Sequence, residues 1–169
     1  MDRLARNAVR DRLLERLGVR RPLIMGILNV TPDSFSDGGA HDSLTPALAH
    51  AAQMEDEGAD ILDIGGESTR PGGDPVSLED EWARVREPIT RLAGPDALPL
   101  SIDTYKAEIA RRAAETGAVL VNDVWGMTKD EGMADAVAET ESLVCITYNR
   151  GQTDGDIDLR EDMAEFFGR

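Results

Sequence analysis

Short apolar runs alternate with helix-length segments along this chain, and that alternation limits the folds open to it more than any other feature. The apolar runs lie at residues 23–30, 60–64, 98–102, 118–121 and 143–146. Segments with helical periodicity follow them at residues 43–57, 77–92, 106–116, 130–140 and 159–167. Because consecutive parallel strands are joined by right-handed crossovers through a helix, strict alternation predicts an α/β fold with a parallel sheet.

The lengths of the repeating units narrow this prediction to a barrel. Units of about 25 to 40 residues with polar residues after each strand are typical of a TIM (β/α)₈ barrel. Such a barrel usually needs about 250 residues, whereas this chain has 169. A strand and a helix repeat four times and are followed by a fifth strand and a partial helix. We therefore expect an α/β fold of the TIM-barrel type, truncated to about five β/α units.

The chain divides into an N-terminal basic helix at residues 1–21 and a partial barrel domain at residues 22–169. Leucine and alanine recur at near-helical spacing in the first segment, with arginines between them and Gly18 at the end. One interpretation is an arm that binds nucleic acid. We favour a solvated helix that covers one end of the domain.

The charge of the chain excludes two classes of main partner. There are 33 acidic residues against 18 basic ones, which gives a formal net charge of −15 and argues against nucleic acid or an anionic membrane. No apolar run approaches the roughly 20 residues of a membrane span, and the first residues lack the apolar core of a signal peptide. We expect a cytoplasmic protein.

Cys145 is the single cysteine of the chain and lies in the apolar run at 143–146. Free cysteine is among the most buried residue types, so we expect a small buried hydrophobe rather than a reactive thiol. A single cysteine also excludes an intrachain disulfide and a cysteine cluster for zinc.

Polar residues stand at the ends of the predicted strands, where a core would not tolerate them unpaired. They are Asn29, then Asp63 and Glu67, then Asp103, then Asn122 and Asp123. The first strand is apolar enough to be buried on both faces, which makes Asn29 a buried amide. Because parallel strands of a barrel converge at one mouth, we predict a pocket there. The alternative is that these side chains only cap helices, above all Asp103 and Asp123.

Carboxylate and amide side chains at the same depth in such a pocket suit the hydrogen-bonding edge of a flat heterocycle. A carboxylate accepts from an N–H and a neighbouring NH₂, as an aminopyrimidinone presents them, and asparagine supplies one donor and one acceptor. These residue types by themselves fit a pterin and a purine equally well.

Four stretches resemble the signatures of the dihydropteroate synthase family in sequence, order and spacing. They are MGILNVTPDSFSDGG at 25–39, DILDIGGESTRPG at 60–72, SIDTYKA at 101–107 and VNDVWG at 121–126. The resemblance implies an enzyme of folate biosynthesis that condenses 6-hydroxymethyl-7,8-dihydropterin pyrophosphate with 4-aminobenzoate to give 7,8-dihydropteroate and pyrophosphate. It also implies that pyrophosphate leaves first, so that the aromatic amine attacks a pterin-methyl cation.

This resemblance assigns the pterin side of the site to strand ends. Asp103 and Asn122 match pterin contacts, and Asp63 matches a buried partner behind them; Asp103 is also an implied catalytic residue. Asn29 matches the residue on the metal side, where Mg²⁺ neutralises the pyrophosphate. Mg²⁺ is therefore the cofactor that the resemblance implies.

Two loops supply the remainder of the implied site. On the first loop, Asp37 matches the position that steadies the cation, and Phe35 matches a wall of the aminobenzoate pocket. On the second loop, Thr69 and Arg70 match residues that hold pyrophosphate or order the closed site, and Pro71 matches another part of the wall. Asp37 and Arg70 are the implied catalytic residues of these loops.

The chain departs from the family at its fifth strand and beyond. Where the family usually carries a Met-His pair, this sequence reads Ile146-Thr147-Tyr148. The family's later strands supply an Asp, a Lys and an Arg-x-His that have no counterpart here. We expect the chain alone to be inactive, and to assemble as a homo-oligomer or with a complementing chain.

Two other functions stay open at this point. Methyltetrahydrofolate methyltransferases share the Asp and Asn strand ends but lack the TPDSFSDGG loop, which is intact at residues 31–39. A non-catalytic homologue would bind a pterin or a partner without turnover. Pyrophosphate release separates a synthase from the first alternative, and calorimetric titration with pterin pyrophosphate and Mg²⁺ identifies the second.

Overall fold

The computed structural model of the chain describes residues 1–19, 21–31, 44–68, 75–151 and 155–168. Its elements are α1 (Arg3–Leu17), β1 (Met25–Asn29), α2 (Leu44–Asp56), β2 (Ile61–Gly65), α3 (Leu78–Leu92), β3 (Leu100–Asp103), α4 (Ala107–Thr116), β4 (Leu120–Asp123), α5 (Met133–Thr140), β5 (Leu143–Ile146) and α6 (Leu159–Phe167). The strands of these ranges form one parallel sheet in the order β1-β2-β3-β4-β5. The predicted α/β fold of the TIM-barrel type, with five β/α units, is confirmed. None of the helices described has the length and hydropathy needed to cross a bilayer.

Helices α2 to α5 cover one side of this sheet, which we call the outer face. A row of apolar side chains in register lies on it, formed by Leu28, Ile64, Ile102 and Val121. These side chains pack in the main hydrophobic core with residues of the helices, such as Ile109 of α4. Because side chains alternate along a strand, the intervening residues point to the opposite side, the inner face.

Helix α1 packs against the N-terminal ends of the strands. Its Val9 and Leu13 share a second apolar cluster with Ile61 and Leu120, which lie at the starts of β2 and β4. This contact closes the inner face at the end where the strands begin. The boundary between a helical segment and a barrel domain at residues 21 and 22 stays a prediction.

Arg6 of α1 is committed to the fold. Its side chain is 4% exposed and donates to the carbonyl oxygens of Ala118 at 2.6 Å and Thr140 at 2.7 Å. It also donates to Ser142 Oγ at 2.6 Å. A buried guanidinium of this kind is stable only because its donors are satisfied, and it is not available to bind nucleic acid.

Helix α3 begins with the predicted cap. Ser77 Oγ accepts a hydrogen bond from the main-chain N–H of Asp80 at 3.1 Å and donates one to the Asp80 carboxylate at 2.6 Å. The prediction of Ser77 as the capping residue is confirmed. The first turn then carries Glu81, which is 1% exposed and belongs to the site described below.

Three predictions of burial are wrong, and all of them concern the inner face. Strand β1 is buried on one face only, since Leu28 is 1% exposed whereas Ile27 is 63% exposed. Asn29 and Cys145 are also exposed. Helices cover the outer face along the described sheet, whereas α1 covers the inner face only near the strand starts. An apolar run does not report which of its two faces is covered.

Candidate active site

One row of residues crosses the inner face near the C-terminal ends of the strands. Parallel pairing sets Asn29 beside Gly65, Gly65 beside Asp103, and Asp103 beside Asn122. Strand β4 runs to Asp123, two residues further than predicted, so Asn122 lies within the sheet. Since paired residues of parallel strands face the same side, the structure brings Asn29, Asp103 and Asn122 onto one surface.

Gly65 makes room for the side chains on either side of it. A Cβ placed on Gly65 would lie 3.2 Å from Asn29 Oδ1 and 3.5 Å from Asp103 Oδ2. Both oxygens therefore extend over the glycine from neighbouring strands. Any larger residue at this position would have to displace the Asn29 amide, because 3.2 Å is closer than ordinary van der Waals contact.

Asp63 lies on the same face of the sheet, two residues before Gly65 on β2, and it orients Asn122. The carboxylate is 4% exposed, and its Oδ2 accepts a hydrogen bond from Asn122 Nδ2 at 2.9 Å. Burial raises the pKa of Asp63, opposed by the nearby Ser101 hydroxyl and the Asn122 amide. Because the amide nitrogen is engaged, the amide oxygen of Asn122 is the atom left to receive a donor from a ligand.

Asp103 carries the most perturbed carboxylate of the row. Burial first, and then the nearby carboxylates of Asp63, Glu81, Asp123 and Glu67, together raise the pKa of Asp103 to about 7. Asp103 Oδ1 is buried and makes no hydrogen bond with the described protein. A buried acceptor without a partner is costly in a folded protein, so this atom marks a place where a ligand donor would be favourable.

A lysine behind the row neutralises part of this negative charge. Lys106 forms ion pairs with both Glu67 and Glu81, whose side chains are 10% and 1% exposed. Glu81 also accepts from Thr104 Oγ1 at 2.7 Å, and Glu67 accepts from the Tyr105 hydroxyl at 3.0 Å. The network therefore ties the end of β2 and the start of α3 to the segment after β3.

Sequence reasoning placed Glu67 at the second strand end but missed the roles of Glu81 and Lys106. Glu81 lies in the first turn of a helix, where acidic residues are common for local electrostatic reasons. One signal was present in the sequence: Lys106 is one of only two lysines in a strongly acidic chain. Scarcity of lysine does not identify its partners, because Glu67 and Glu81 are distant in sequence.

Asp123 serves the turn after β4 rather than the inner face. Its two carboxylate oxygens accept from the main-chain N–H groups of Trp125 at 2.8 Å and Met127 at 3.0 Å. Met127 has a φ of 63°, a conformation that is costly for a residue with a side chain. Asp123 thus has a structural role in a turn and not at a helix N-terminus, whereas Asp103 makes no comparable bond through its buried Oδ1.

The residues implied for the two loops lie outside the described residues. These are Phe35 and Asp37 on the first loop and Thr69, Arg70 and Pro71 on the second. Their roles in catalysis and substrate binding stay predictions. The described site therefore consists of the strand ends and the lysine network behind them.

Tyr148, at the position of the family's Met-His pair, turns to helix α6. Its hydroxyl donates to the Asp162 carboxylate, which also pairs with Arg150 at 3.3 Å. Its ring meets that of Phe166 edge-on at a centroid distance of 5.2 Å. These contacts tie the end of β5 to α6, so this side chain is engaged away from the row.

The donor set near Asn29 fits a magnesium ion that keeps most of its water and substrate ligands. Among the described residues, no group of three or more His, Cys, Asp or Glu could form a protein cage for a metal. Asn29 is exposed and presents its amide oxygen beside an Asp103 oxygen across Gly65. Mg²⁺ prefers oxygen ligands and commonly binds through one or two protein groups plus substrate phosphates.

Comparisons with known proteins agree with this geometry. A family described as pterin binding enzymes matches residues 25–166. A dihydropteroate synthase of Bacillus subtilis is 50% identical over 143 residues, which are 85% of this chain and 50% of that protein. The chain thus spans about half the length of the curated relatives it matches.

Solved structures give the same result at the level of the fold. A Clostridium difficile dihydropteroate synthase, solved in the presence of pteroic acid, is 49% identical with a TM-score of 0.84 over 88% of this chain and 57% of that one. A Xanthomonas albilineans dihydropteroate synthase, solved with 4-aminobenzoic acid, is 46% identical with a TM-score of 0.80 over 88% and 54%. With its family match, its parallel sheet and its row of strand-end acceptors, this chain belongs to the pterin binding enzyme family.

Proposed function

We propose that this chain forms the pterin-binding part of a dihydropteroate synthase. The reaction joins 6-hydroxymethyl-7,8-dihydropterin pyrophosphate to 4-aminobenzoate, giving 7,8-dihydropteroate and releasing pyrophosphate. Family membership and the relatives at 45% to 50% identity support this assignment. The inner face supports it independently, through the acceptors on its strand ends.

The observation that carries the proposal is a set of acceptor atoms without partners in the described protein. Asp103 Oδ1 is buried and makes no hydrogen bond with the described protein. Asn122 adds its amide oxygen, since its nitrogen is held by Asp63. A ring edge with adjacent N–H and NH₂ donors would satisfy this set, and each buried acceptor left unpaired costs about 1–3 kcal/mol.

Relatives favour a pterin over a purine for this edge. Both ring systems present an aminopyrimidinone, so the acceptors alone do not separate them. The solved synthases described above were studied with pteroic acid and with 4-aminobenzoic acid. By similarity to them, we assign a pterin and 4-aminobenzoate as the substrates of the site.

In the proposed reaction, the described residues bind the ring and stabilise charge on it. Asp103 in its ionised form accepts from the ring N–H, while Asn122 accepts from the neighbouring donor. Asp63 holds Asn122 in the orientation that makes this possible. Departure of pyrophosphate leaves positive charge on the pterin, and fixed carboxylates near that charge lower the barrier.

We assign stabilisation of the leaving pyrophosphate and of the cation to Asn29 and the two loops. Asn29 would hold Mg²⁺, which when bound neutralises the leaving pyrophosphate. Asp37 would steady the cation, and Thr69 and Arg70 would hold pyrophosphate or order the closed site, as the family resemblance implies. Phe35 and Pro71, named above for the aminobenzoate pocket, would complete the wall for the attacking amine.

The sheet also supports a proposal about assembly. Within the described residues, β1 and β5 each pair on one side only. Unpaired strand edges favour pairing with another chain. We therefore propose that the chain works as a homo-oligomer or with a complementing chain, and sedimentation analysis of the purified protein tests this directly.

A second candidate function is pterin binding without turnover. The observation in its favour is that the chain spans only about half of its curated relatives. Calorimetric titration with dihydropterin pyrophosphate and Mg²⁺ measures binding, and a coupled assay for pyrophosphate measures turnover. Binding is expected for both candidates, and its absence would contradict both.

Complementation separates the two candidates. The C-terminal half of the Bacillus subtilis relative, coexpressed with this chain, supplies what a synthase would need beyond the described strands. Pyrophosphate release that depends on both polypeptides and on 4-aminobenzoate supports the synthase. Pterin binding that persists without turnover in the assembled pair supports the non-catalytic homologue instead. Turnover by this chain as a monomer would contradict the proposal that it needs a complement.

A further inference from the structure

We propose that Thr104 is a positioning residue of the pterin site, which fixes Asp103 by tying the end of β3 to the buried carboxylate of Glu81. This inference rests on the proposed function and deepens it by adding a residue that does not itself touch the ligand. Sequence reasoning assigned no role to Thr104.

The side chain of Thr104 is engaged on the outer face of the sheet. It is 3% exposed, and its hydroxyl donates to Glu81 Oε1 at 2.7 Å. The same oxygen accepts from the main-chain N–H of Lys106 at 3.2 Å. A threonine hydroxyl has a single donor, so these two bonds fix its orientation. Because successive side chains of an extended chain alternate, Thr104 reaches α3 while Asp103 faces the opposite side.

The main chain of Thr104 joins the two proposed pterin acceptors. Asp103 precedes it directly in the sequence, and the Thr104 N–H donates to the carbonyl oxygen of Asn122 at 3.2 Å. The pairing of β3 with β4 therefore continues one residue beyond the end of β3. A displacement of Thr104 would move the Asp103 carboxylate relative to the Asn122 amide.

Glu81 is a firm anchor because both of its carboxylate oxygens are engaged. The residue is 1% exposed, and its Oε1 accepts from Thr104 while its Oε2 pairs with Lys106. Lys106 pairs in turn with Glu67, which follows β2. The Thr104 hydroxyl is thus bound to a carboxylate that is itself held in place from a second side.

The helix that carries Glu81 is also held tightly against the end of β2. A Cβ placed on Gly66 would lie 2.8 Å from Val85 Cγ1 and 3.2 Å from Glu81 Cγ, so α3 packs directly on the main chain at this glycine. Arg84 Nη1 donates to the Gly66 carbonyl oxygen at 2.8 Å. Thr104 therefore connects the end of β3 to a helix that is seated on the neighbouring strand.

Asp103 needs this anchor more than Asn122 does. The Asn122 amide is oriented by its own hydrogen bond to Asp63 at 2.9 Å. Asp103 Oδ1, by contrast, is buried and makes no hydrogen bond with the described protein. The direction of the Asp103 carboxylate consequently depends on its main chain, which Thr104 holds. Misplacement of a binding group by about 1 Å can cost about 100-fold.

Two substitutions at Thr104 test this role. Thr104→Val keeps the branched shape of the side chain and removes the hydroxyl, so the bond to Glu81 is lost. We expect the dissociation constant of 6-hydroxymethylpterin, measured by calorimetry, to rise about tenfold in this variant. Thr104→Ser keeps the hydroxyl and should restore binding to the wild-type level, which a loss of packing alone would not allow.

Thr116→Val is the matched control. The Thr116 hydroxyl donates to the carbonyl oxygen of Arg112 at 2.8 Å at the end of α4, on the side of the domain where the strands begin. Its removal also deletes one hydroxyl hydrogen bond, and pterin affinity should stay unchanged. Circular dichroism verifies that each variant is folded at the temperature of the titrations.

Hydrogen–deuterium exchange of the wild-type protein gives a test that needs no variant. Coupling between two sites is reciprocal, so a ligand that binds Asp103 should stabilise the anchor on α3. With 6-hydroxymethylpterin bound, exchange should slow in the peptide that contains Glu81 and stay unchanged in α1. Unchanged exchange at Glu81 would overturn the inference, even if Thr104→Val failed to fold.

The remaining outcomes separate this inference from the proposed function. Equal pterin affinities of wild type and Thr104→Val would overturn the positioning role alone, and so would equally weak binding by Thr104→Val and Thr104→Ser. Absence of pterin binding to the wild-type protein would overturn the proposed function, and this inference with it.

Discussion

Asn122 Nδ2 donates a hydrogen bond to Asp63 Oδ2 at 2.9 Å, and this bond joins two strand ends that are not neighbours in the sheet. The bond fixes which end of the Asn122 amide faces a ligand. It also places a buried carboxylate, 4% exposed, directly behind the candidate pterin edge. The acceptor character of the site therefore depends on Asp63 even where Asp63 does not touch the ligand.

Replacement of Asp63 tests that dependence. We expect Asp63→Ala to weaken 6-hydroxymethylpterin binding by about 10- to 100-fold, equivalent to about 1.4–2.7 kcal/mol, because the Asn122 amide loses its orienting partner. Calorimetry measures the affinity, and circular dichroism verifies the fold. The matched control is Asp96→Ala, an exposed aspartate in a loop. Equal affinities for wild type and Asp63→Ala would contradict the orienting role.

Ligand affinity should depend on the ionisation of Asp103, whose pKa is raised to about 7 by burial and by the carboxylates near it. An ionised carboxylate accepts a ring N–H, whereas the protonated form presents a donor on one oxygen. Pterin affinity is thus expected to increase as the pH rises through about 7 and to level off above it. Calorimetric titrations between pH 5.5 and about 8.5 measure this profile, and Asp103→Asn should flatten it.

The same pKa shift has a consequence for stability with the opposite sense. Because the folded protein holds a proton on Asp103 that the unfolded chain releases near its ordinary pKa of about 3.9, stability should fall as the pH rises from about 4 to about 7. Asp103→Asn removes this loss, so its melting temperature should exceed that of wild type at pH 8 and match it below pH 4. Thermal denaturation across this range tests it, with Asp96→Asn as the control. A higher melting temperature for wild type than for Asp103→Asn at pH 8 would show that burial of the Asp103 charge is not the dominant cost to stability.

Removal of the lysine network should be strongly destabilising. Lys106→Met leaves Glu81, which is 1% exposed, without its cationic partner, and breaking a buried pair in this way costs about 3–5 kcal/mol. Urea denaturation measures the free energy of unfolding. The matched control is Arg112→Met, whose partners Glu79 and Glu108 are largely exposed, so its effect should be much smaller. The double variant Lys106→Met with Glu81→Gln should recover part of the loss; no recovery would argue against an unpaired Glu81 charge as the cause.

Gly65→Ala should separate the two ends of the substrate. The new Cβ would lie 3.2 Å from Asn29 Oδ1 and displace this amide. If Asn29 holds Mg²⁺ at the pyrophosphate, the variant should lose affinity for dihydropterin pyrophosphate in Mg²⁺ and keep most of its affinity for 6-hydroxymethylpterin. Paired calorimetric titrations measure both. Equal losses for the two ligands would place the effect of the methyl group on the ring site instead.

Local features of the fold were readable from the sequence. The bounds of β5 and α6 agree with the predicted runs, and Ser77 caps α3 as expected. These features depend on residues within a few positions of each other, where propensity and capping chemistry act. Local pattern and the convergence of parallel strands also identified the polar strand ends. The resemblance to dihydropteroate synthases then singled out Asn29, Asp63, Asp103 and Asn122 among them.

Features that depend on contacts between residues distant in sequence could not be predicted from the sequence. Ile27 and Cys145 are exposed because no described element covers this part of the inner face. The apolar runs around these residues do not indicate which face of a strand is covered. The pairing of Lys106 with Glu67 and Glu81 likewise joins three segments that only the fold brings together. A helix-capping role was weighed for Asp103 and Asp123 alike, whereas in the structure Asp123 holds the turn after β4.

The most direct test of the pterin edge compares two ligands that differ at one group. 6-Hydroxymethylpterin offers an N–H beside an NH₂, whereas 6-hydroxymethyllumazine carries an oxo group in place of that amine. Competition calorimetry on the wild-type chain should show the pterin binding tighter by at least about tenfold, since the oxo group meets acceptors that it cannot satisfy. Equal affinities, or a preference for the lumazine, would contradict the assignment of Asp103 and Asn122, the latter oriented by Asp63, as acceptors for a pterin.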